Sequence, residues 1–187
     1  PTIFHIDDDL LNVPREVGEA KFRSHNRPER KEAISFFLNN CDYVYCSHAR
    51  LEARYREQGF NRNIGHGRIF SSGYPLSTAE KRPVRKIGYM GFDKTRDLNL
   101  ILPQLVQFLN ERPEISFELM GSFSLPNKLT AFGDRVTLLE PVRPYTDFLE
   151  YFANLRWDIG ICPLDDTPFN RVKTNTKWVE YTMAGVA

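Results

Sequence analysis

The chain has 187 residues, with 25 Lys and Arg against 24 Asp and Glu and a formal net charge of +1. Hydrophobic residues make up 41% and charged residues 26%, an ordinary globular mixture that excludes wholesale disorder. The near-zero charge gives no global argument for nucleic acid, and no apolar run reaches the roughly 18 residues needed to cross a bilayer.

In chain order, residues 2–6 read as a buried strand ended by Asp7, Asp8 and Asp9. Residues 29–40 carry Ala33, Phe36 and Phe37 without Gly or Pro, which predicts a helix. Residues 42–46, rich in Tyr and Val, read as a strand. Residues 49–58 read as a helix with Gly59 at its C-terminal cap. Residues 63–70 are weaker, being interrupted by Gly65 and Gly67. Residues 71–83 combine Ser72, Gly73, Pro75 and Pro83, which is turn and linker chemistry.

The pattern then restarts. Residues 86–90 read as a strand running into Gly91. Leu98, Ile101, Leu102, Leu105, Val106 and Leu109 form one helical stripe. Pro103 falls inside it, so the helix starts near Leu100 or is kinked. Residues 115–120 and 135–139 read as strands, 145–155 as a helix, 158–164 as a strand and 176–184 as a helix. Strands separated by helices at these intervals imply βαβ units and parallel sheets. Both ends of the chain read as cut. The expected division is 1–73 as the end of one Rossmann-like domain, 74–84 as a linker, and 85–187 as a second, truncated one.

Cys41, Cys46 and Cys162 give no disulfide framework and are expected as small buried hydrophobes. The four histidines do not combine with them at zinc-finger spacings. A reducing cytosol is the expected compartment. The first residues carry three acids and no basic stretch, which is not the composition of a signal peptide.

In parallel sheets, ligands bind at the carboxyl ends of the strands. Four clusters belong there. In the 91–97 loop, Gly91 admits an anion to backbone N–H groups, and Lys94 and Arg96 supply charge. The alternative is a plain turn with solvated cations. The 141–145 loop follows another strand. In the 165–181 segment, Lys173, Lys177 and Glu180 share one face if Lys173 lies in the first helical turn. Two lysines with Arg171 suit a diphosphate, and a carboxylate one turn further on suits ribose hydroxyls. The plainer reading is an exposed helix face with Lys177 and Glu180 paired. Asp7, Asp8 and Asp9 suit a metal, a polyhydroxylated acceptor or a helix cap.

The runs Ile87-Gly88-Tyr89-Met90-Gly91, Asp97-Leu98, and Asp158 to Leu164, and above all Pro168-Phe169-Asn170-Arg171-Val172-Lys173-Thr174 with Lys177 and Glu180-Tyr181, resemble the C-terminal domain of group-one retaining glycosyltransferases of the GT-B fold. His5 to Leu10, followed by Cys41 to Val44, resembles the end of the N-terminal domain of the same proteins. The resemblance implies an α/β, GT-B chain with two Rossmann-like domains. It also implies a retaining transferase that moves a sugar from a nucleotide-sugar donor to a glycan or lipid-linked acceptor. The donor is then a substrate, and neither a cofactor nor a bound metal is implied. Glu180 matches the second glutamate of the family's pair, which holds the donor ribose, while Val172 replaces the first. Arg171 and Lys173 fall near the diphosphate, as does the Gly91 loop with Lys94 and Arg96, and Thr174 and Lys177 complete the donor-binding set. Val142 falls near the base, and Asp7, Asp8 and Asp9 on the acceptor side. Many relatives carry a His in the loop that here holds Asp93, Lys94, Thr95 and Arg96. Breaking the glycosyl–phosphate bond charges the leaving diphosphate, and fixed cations with backbone N–H groups stabilise it.

Lipid-linked acceptors imply peripheral membrane contact at the inner face, where Arg15, Lys21, Arg23, Arg27, Arg30 and Lys31 are candidates. A solvated surface explains these residues equally. Three rivals remain. A HAD-type phosphatase would use Asp7 and Asp9 with Asp165 and Asp166, but Leu11 stands where its first motif needs Thr or Val. A metal-dependent GT-A transferase would use the Asp triplet, against which the two Rossmann-like segments argue. A non-catalytic nucleotide- or sugar-binding module is the third.

Overall fold

A computed structural model describes residues 1–60, 63–70, 82–92, 95–122 and 124–187. The chain divides into two compact units, one of Pro1–Ile69 with Asp166–Asn175, the other of Phe70–Asp165 with Thr176–Ala187. Most of the expected 74–84 linker lies outside the described residues, as does Lys94.

The first unit runs β1 (Ile3–Ile6), α1 (Glu19–His25), α2 (Pro28–Asn40), β2 (Tyr43–Cys46), α3 (Ala49–Glu57) and β3 (Ile64–His66). Its sheet is parallel, in the order β1-β2-β3. Ile6, Val44 and Cys46 from the sheet meet Ile34, Leu38 and Leu51 from the helices. Pro28 opens α2, where its missing N–H has no helical partner to lose. The inward side chains of α2 are Ile34 and Leu38, whereas Phe36 and Phe37 are 61% and 46% exposed. His48 caps α3 by accepting the Arg50 N–H at 3.1 Å. Gly59 follows α3 with φ 79°, a left-handed position that glycine takes without a Cβ clash.

Residues Asp166–Asn175 belong to this unit, which a single linker between two domains does not anticipate. Val172 is buried in its core. Arg54 donates from Nη1 to the Pro168 carbonyl at 3.4 Å.

The second unit runs β4 (Lys86–Phe92), α4 (Thr95–Asn99), α5 (Leu102–Glu111), β5 (Ser116–Ser122), α6 (Asn127–Thr130), β6 (Val136–Leu139), α7 (Tyr145–Leu155), β7 (Ile159–Gly160) and α8 (Thr176–Met183). Its sheet is parallel, in the order β6-β5-β4-β7. Side chains alternate across it with the period of a strand. Ile87, Tyr89, Phe117 and Leu119 enter a core with Leu105 and Leu109. Met90 and Met120 enter the opposite core with Phe152, Trp157 and Tyr181. Burial on both faces explains why these strands are near-continuous apolar runs.

Three sequence expectations change here. The stripe from Leu98 to Leu109 splits into α4 and α5, with Pro103 in the first turn of α5. The strand expected over 158–164 pairs only at Ile159–Gly160. Where β7 leaves the sheet, the Tyr181 hydroxyl accepts the Met90 N–H at 3.4 Å and donates to the Ile161 carbonyl at 3.1 Å. A side chain thus satisfies backbone groups that a longer ladder would have paired. Of the cysteines, only Cys46 is buried, while Cys41 is intermediate and Cys162 exposed.

Two glycines are required by their surroundings. A Cβ at Gly88 would overlap the Trp157 ring, which is 2% exposed. Gly121 has φ 128°, and a Cβ there would overlap the Gly91 carbonyl. At Gly88 this lets the indole pack against the amino half of β4, and at Gly121 it lets β5 approach β4 at their carboxyl ends.

Candidate functional site

In the second unit, the strand order reverses at β4, which has β5 on one side and β7 on the other. Open α/β sheets form their ligand crevice at such a point, outside the carboxyl ends of the strands. A cavity of about 440 Å³ lies there. Met90, Gly91 and Phe92 reach it from β4, and Met120 and Gly121 from β5. Pro141, Val142 and Arg143 come from the loop after β6, Tyr145 and Phe148 from α7, and Lys177 and Glu180 from α8.

The walls are mainly apolar, with four polar side chains converging on them, which is the composition of a small-molecule site. The Arg143 guanidinium lies over the Phe92 ring, 5.6 Å from its centroid. Lys177 Nζ stands 5.8 Å from the centroid of the Tyr89 ring. Tyr145 donates its hydroxyl hydrogen to Glu180 Oε1 at 3.1 Å. Burial raises the Glu180 carboxyl above its ordinary value, against the opposing effects of the Tyr145 hydroxyl and the Lys177 ammonium. Burial, then the neighbouring Glu180 charge and hydrogen bond, push the Tyr145 phenol up to about 12. The phenol therefore stays a donor at neutral pH.

Gly91, Val142, Lys177 and Glu180 are thus brought together. The remaining basic residues are placed differently. Arg96 Nη2 pairs with Asp165 Oδ2 at 2.6 Å, and neighbouring Asp97, 4% exposed, accepts the Asp165 N–H at 3.2 Å. Arg171, Lys173 and Thr174 belong to the first unit. Arg171 forms two bonds to Asp166, at 2.6 and 2.7 Å. Lys173 precedes α8, which starts at Thr176, so the shared helical face holds only Lys177 and Glu180. The carboxylate facing Lys173 is that of Asp8.

The Asp triplet of the first unit is divided. Asp7 is exposed. Asp8 is half-buried and receives Lys173. Asp9 is fully buried, accepting from Arg54 Nη1 at 2.6 Å and from Asn12 Nδ2 at 2.9 and 3.1 Å. The acids follow β1 into a turn, with the Asn12 N–H bonded to the Asp9 carbonyl, and no α-helix starts on them. Among the described residues, no three His, Cys, Asp or Glu side chains group closely enough to hold a metal ion.

Sequence reasoning missed the apolar floor of Met90 and Met120, the Phe92–Arg143 stack and the Tyr145–Glu180 bond. Tyr145 and Arg143 stand in the 141–145 loop, whose place after a strand marks it as a candidate, but nothing local to that loop indicates a partner on a helix 35 residues later.

No protein-family model matches the chain, and no curated protein matches its sequence. Solved structures do match. TarM, a glycosyltransferase, superposes with a TM-score of 0.52 at 12% identity, over 84% of this chain and 30% of that one. A mutant of S. aureus TarM, in complex with fondaparinux, alpha-GlcNAc-glycerol and UDP, superposes with a TM-score of 0.51 at 15% identity, over 84% of this chain and 31% of that one. This chain therefore spans about a third of the length of the proteins it resembles. The fold that these likenesses establish is the GT-B type, with α/β Rossmann-like units built on parallel sheets.

Proposed function

We propose that the second unit binds the nucleotide part of a nucleotide-sugar donor, and that the chain belongs to a glycosyltransferase. The observation carrying this reading is the cavity at the carboxyl ends of β4 and β5, where Lys177 and Glu180 converge on apolar walls. Lys177 supplies a cation for a diphosphate. Glu180 supplies acceptors for ribose hydroxyls. The loop of Pro141, Val142 and Arg143 offers backbone groups and a guanidinium to a base. UDP bound in a TarM structure of the same fold supports a nucleoside diphosphate as the ligand class.

The finer reading is a retaining transfer to a glycan or lipid-linked acceptor, without a metal or a separate cofactor. Fixed cations and backbone N–H groups then take up the charge of the leaving diphosphate. Acceptor recognition is assigned to Asp7, the exposed member of its triplet. The protein works in the cytoplasm, at the inner face of the membrane where its acceptor is lipid-linked. No helix among the described residues is long and apolar enough to cross a membrane.

Calorimetric titration of the chain with UDP, GDP and ADP tests the nucleotide site, and one of them is expected to bind. Absence of binding by all three would refute the reading. Donor hydrolysis measured for the chain and for Glu180→Ala then separates a transferase from an inert binder, because only turnover gives hydrolysis that the substitution abolishes. Magnesium-dependent phosphatase activity lost in Asp7→Asn would favour the phosphatase reading instead.

A further inference from the structure

We propose that Tyr145 is a positioning residue that fixes the Glu180 carboxylate for a vicinal diol, so that the cavity selects ribonucleotides over 2′-deoxyribonucleotides. The inference rests on the nucleotide-binding reading of the cavity and assigns a cause to its selectivity. The Glu180 carboxylate accepts the hydrogen bond of the Tyr145 hydroxyl on Oε1. A carboxylate offers about four lone-pair sites, so one bond from Tyr145 leaves it the capacity to accept from two adjacent hydroxyls.

Tyr145 is built to hold that position. It opens α7 directly after Pro144. Its ring stacks on Phe148 at 5.6 Å between centroids, and Phe148 stacks on Phe152 at 5.7 Å. Phe152 is fully buried and meets the Trp157 ring edge-on at 5.1 Å. The exposed phenol thus sits at the end of a ladder of rings rooted in the core. A glutamate side chain has three rotatable bonds, and a fixed donor on one oxygen restricts them before the ligand arrives.

Tyr145→Phe keeps the ring ladder and removes only the hydroxyl. The test measures the affinities of UDP and 2′-deoxy-UDP, and of GDP and 2′-deoxy-GDP, for the chain and for the variant. The unaltered protein is expected to prefer the ribonucleotide by about tenfold or more, as sites that hydrogen-bond a hydroxyl do. In Tyr145→Phe the preference falls to about threefold or less, with the 2′-deoxy affinity unchanged. Glu180→Gln also lowers the preference, and adding Tyr145→Phe to it lowers it no further. A pH series gives a second readout. The groups facing Glu180 are Tyr145 from α7, Lys177 from its own helix, Cys162 from the segment after β7, and Arg143 across the cavity. Because the hydroxyl holds the carboxyl down, acidification abolishes the ribose preference at a higher pH in Tyr145→Phe.

Equal affinity for ribo- and 2′-deoxyribonucleotides in the unaltered protein overturns the proposal and leaves the nucleotide site standing. So does a preference that Tyr145→Phe leaves unchanged. Failure of every nucleotide to bind overturns both.

Discussion

Lys173 donates to both carboxylate oxygens of Asp8, at 2.7 and 2.8 Å, across 165 residues of sequence. The same ammonium lies 4.6 Å from the centroid of the Phe169 ring. Together with buried Val172, the pair ties Asp166–Asn175 to the first unit. Asp8→Ala removes the acceptor and leaves a partly buried ammonium, at a cost of about 1–2 kcal/mol to that segment. Trypsin is expected to cut after Arg171 and Lys173 faster in Asp8→Ala than in the unaltered protein. Equal cleavage rates would show that the pair does not hold the segment.

Glu180 predicts an inverse relation between stability and pH. Its folded-state value is raised by burial, so the folded protein keeps a proton that the unfolded chain releases. The stabilisation this gives is complete below the ordinary glutamate range and is lost as pH rises through the raised value. Glu180→Gln lacks the effect. Its melting temperature should match that of the unaltered protein in acid and exceed it increasingly as the pH is raised to neutrality. Equal melting temperatures across that range would contradict the account.

Gly88 should not tolerate a side chain. A Cβ there meets the buried Trp157 ring, whose Nε1–H is fixed by Glu118 Oε2 at 2.7 Å. Gly88→Ala must displace the indole or the strand, at a cost of about 1–3 kcal/mol. A lower urea midpoint with a shifted tryptophan emission is expected. An unchanged midpoint would mean that the ring relocates freely.

Asp158 has the opposite sign to Glu180. Burial pushes its carboxyl up, but the N–H groups of Arg85 and Lys86, each at 2.8 Å, and Arg82 Nε at 2.6 Å outweigh it and hold the value below the ordinary one. Its stabilisation is therefore present above the usual aspartate range and is lost as pH falls through the lowered value. Asp158→Ala leaves those donors unmatched at the start of β4 and costs about 2–3 kcal/mol. Asp158→Asn should flatten the acid limb of the denaturation curve, and an unaltered acid limb would count against the assignment.

On the nucleotide-binding reading proposed above, Lys177 should separate phosphate from nucleoside recognition. Lys177→Ala should weaken UDP by about tenfold, or 1.4 kcal/mol, and leave uridine nearly unaffected. Equal losses for both ligands would place the ammonium elsewhere than at the diphosphate.

Much of the architecture is legible in local pattern. Residues 86–90 and 115–120 are apolar runs that end at glycines, and each is a strand whose carboxyl end opens on the cavity. The helix over residues 145–155 matches α7 at both ends, because its apolar positions follow the helical period. The place of Lys173 was not legible. Its spacing from Lys177 and Glu180 suits one helix, yet an acid near the start of the chain faces it before that helix begins.

What the sequence by itself determined is the alternation of strands and helices, and hence parallel sheets, since strand and helix periodicities are properties of neighbouring residues. Only the tertiary structure decided where β7 stops, which unit holds Asp166–Asn175, and which of the basic residues share a cavity with Glu180. Each of these involves contacts between distant segments, among them the Tyr181 hydroxyl on Met90 of β4, Lys173 on Asp8 beside buried Val172, and Tyr145 on Glu180. Such contacts form because polar groups drawn partly or wholly out of water need partners, and the partner's position in the chain leaves no mark on local periodicity.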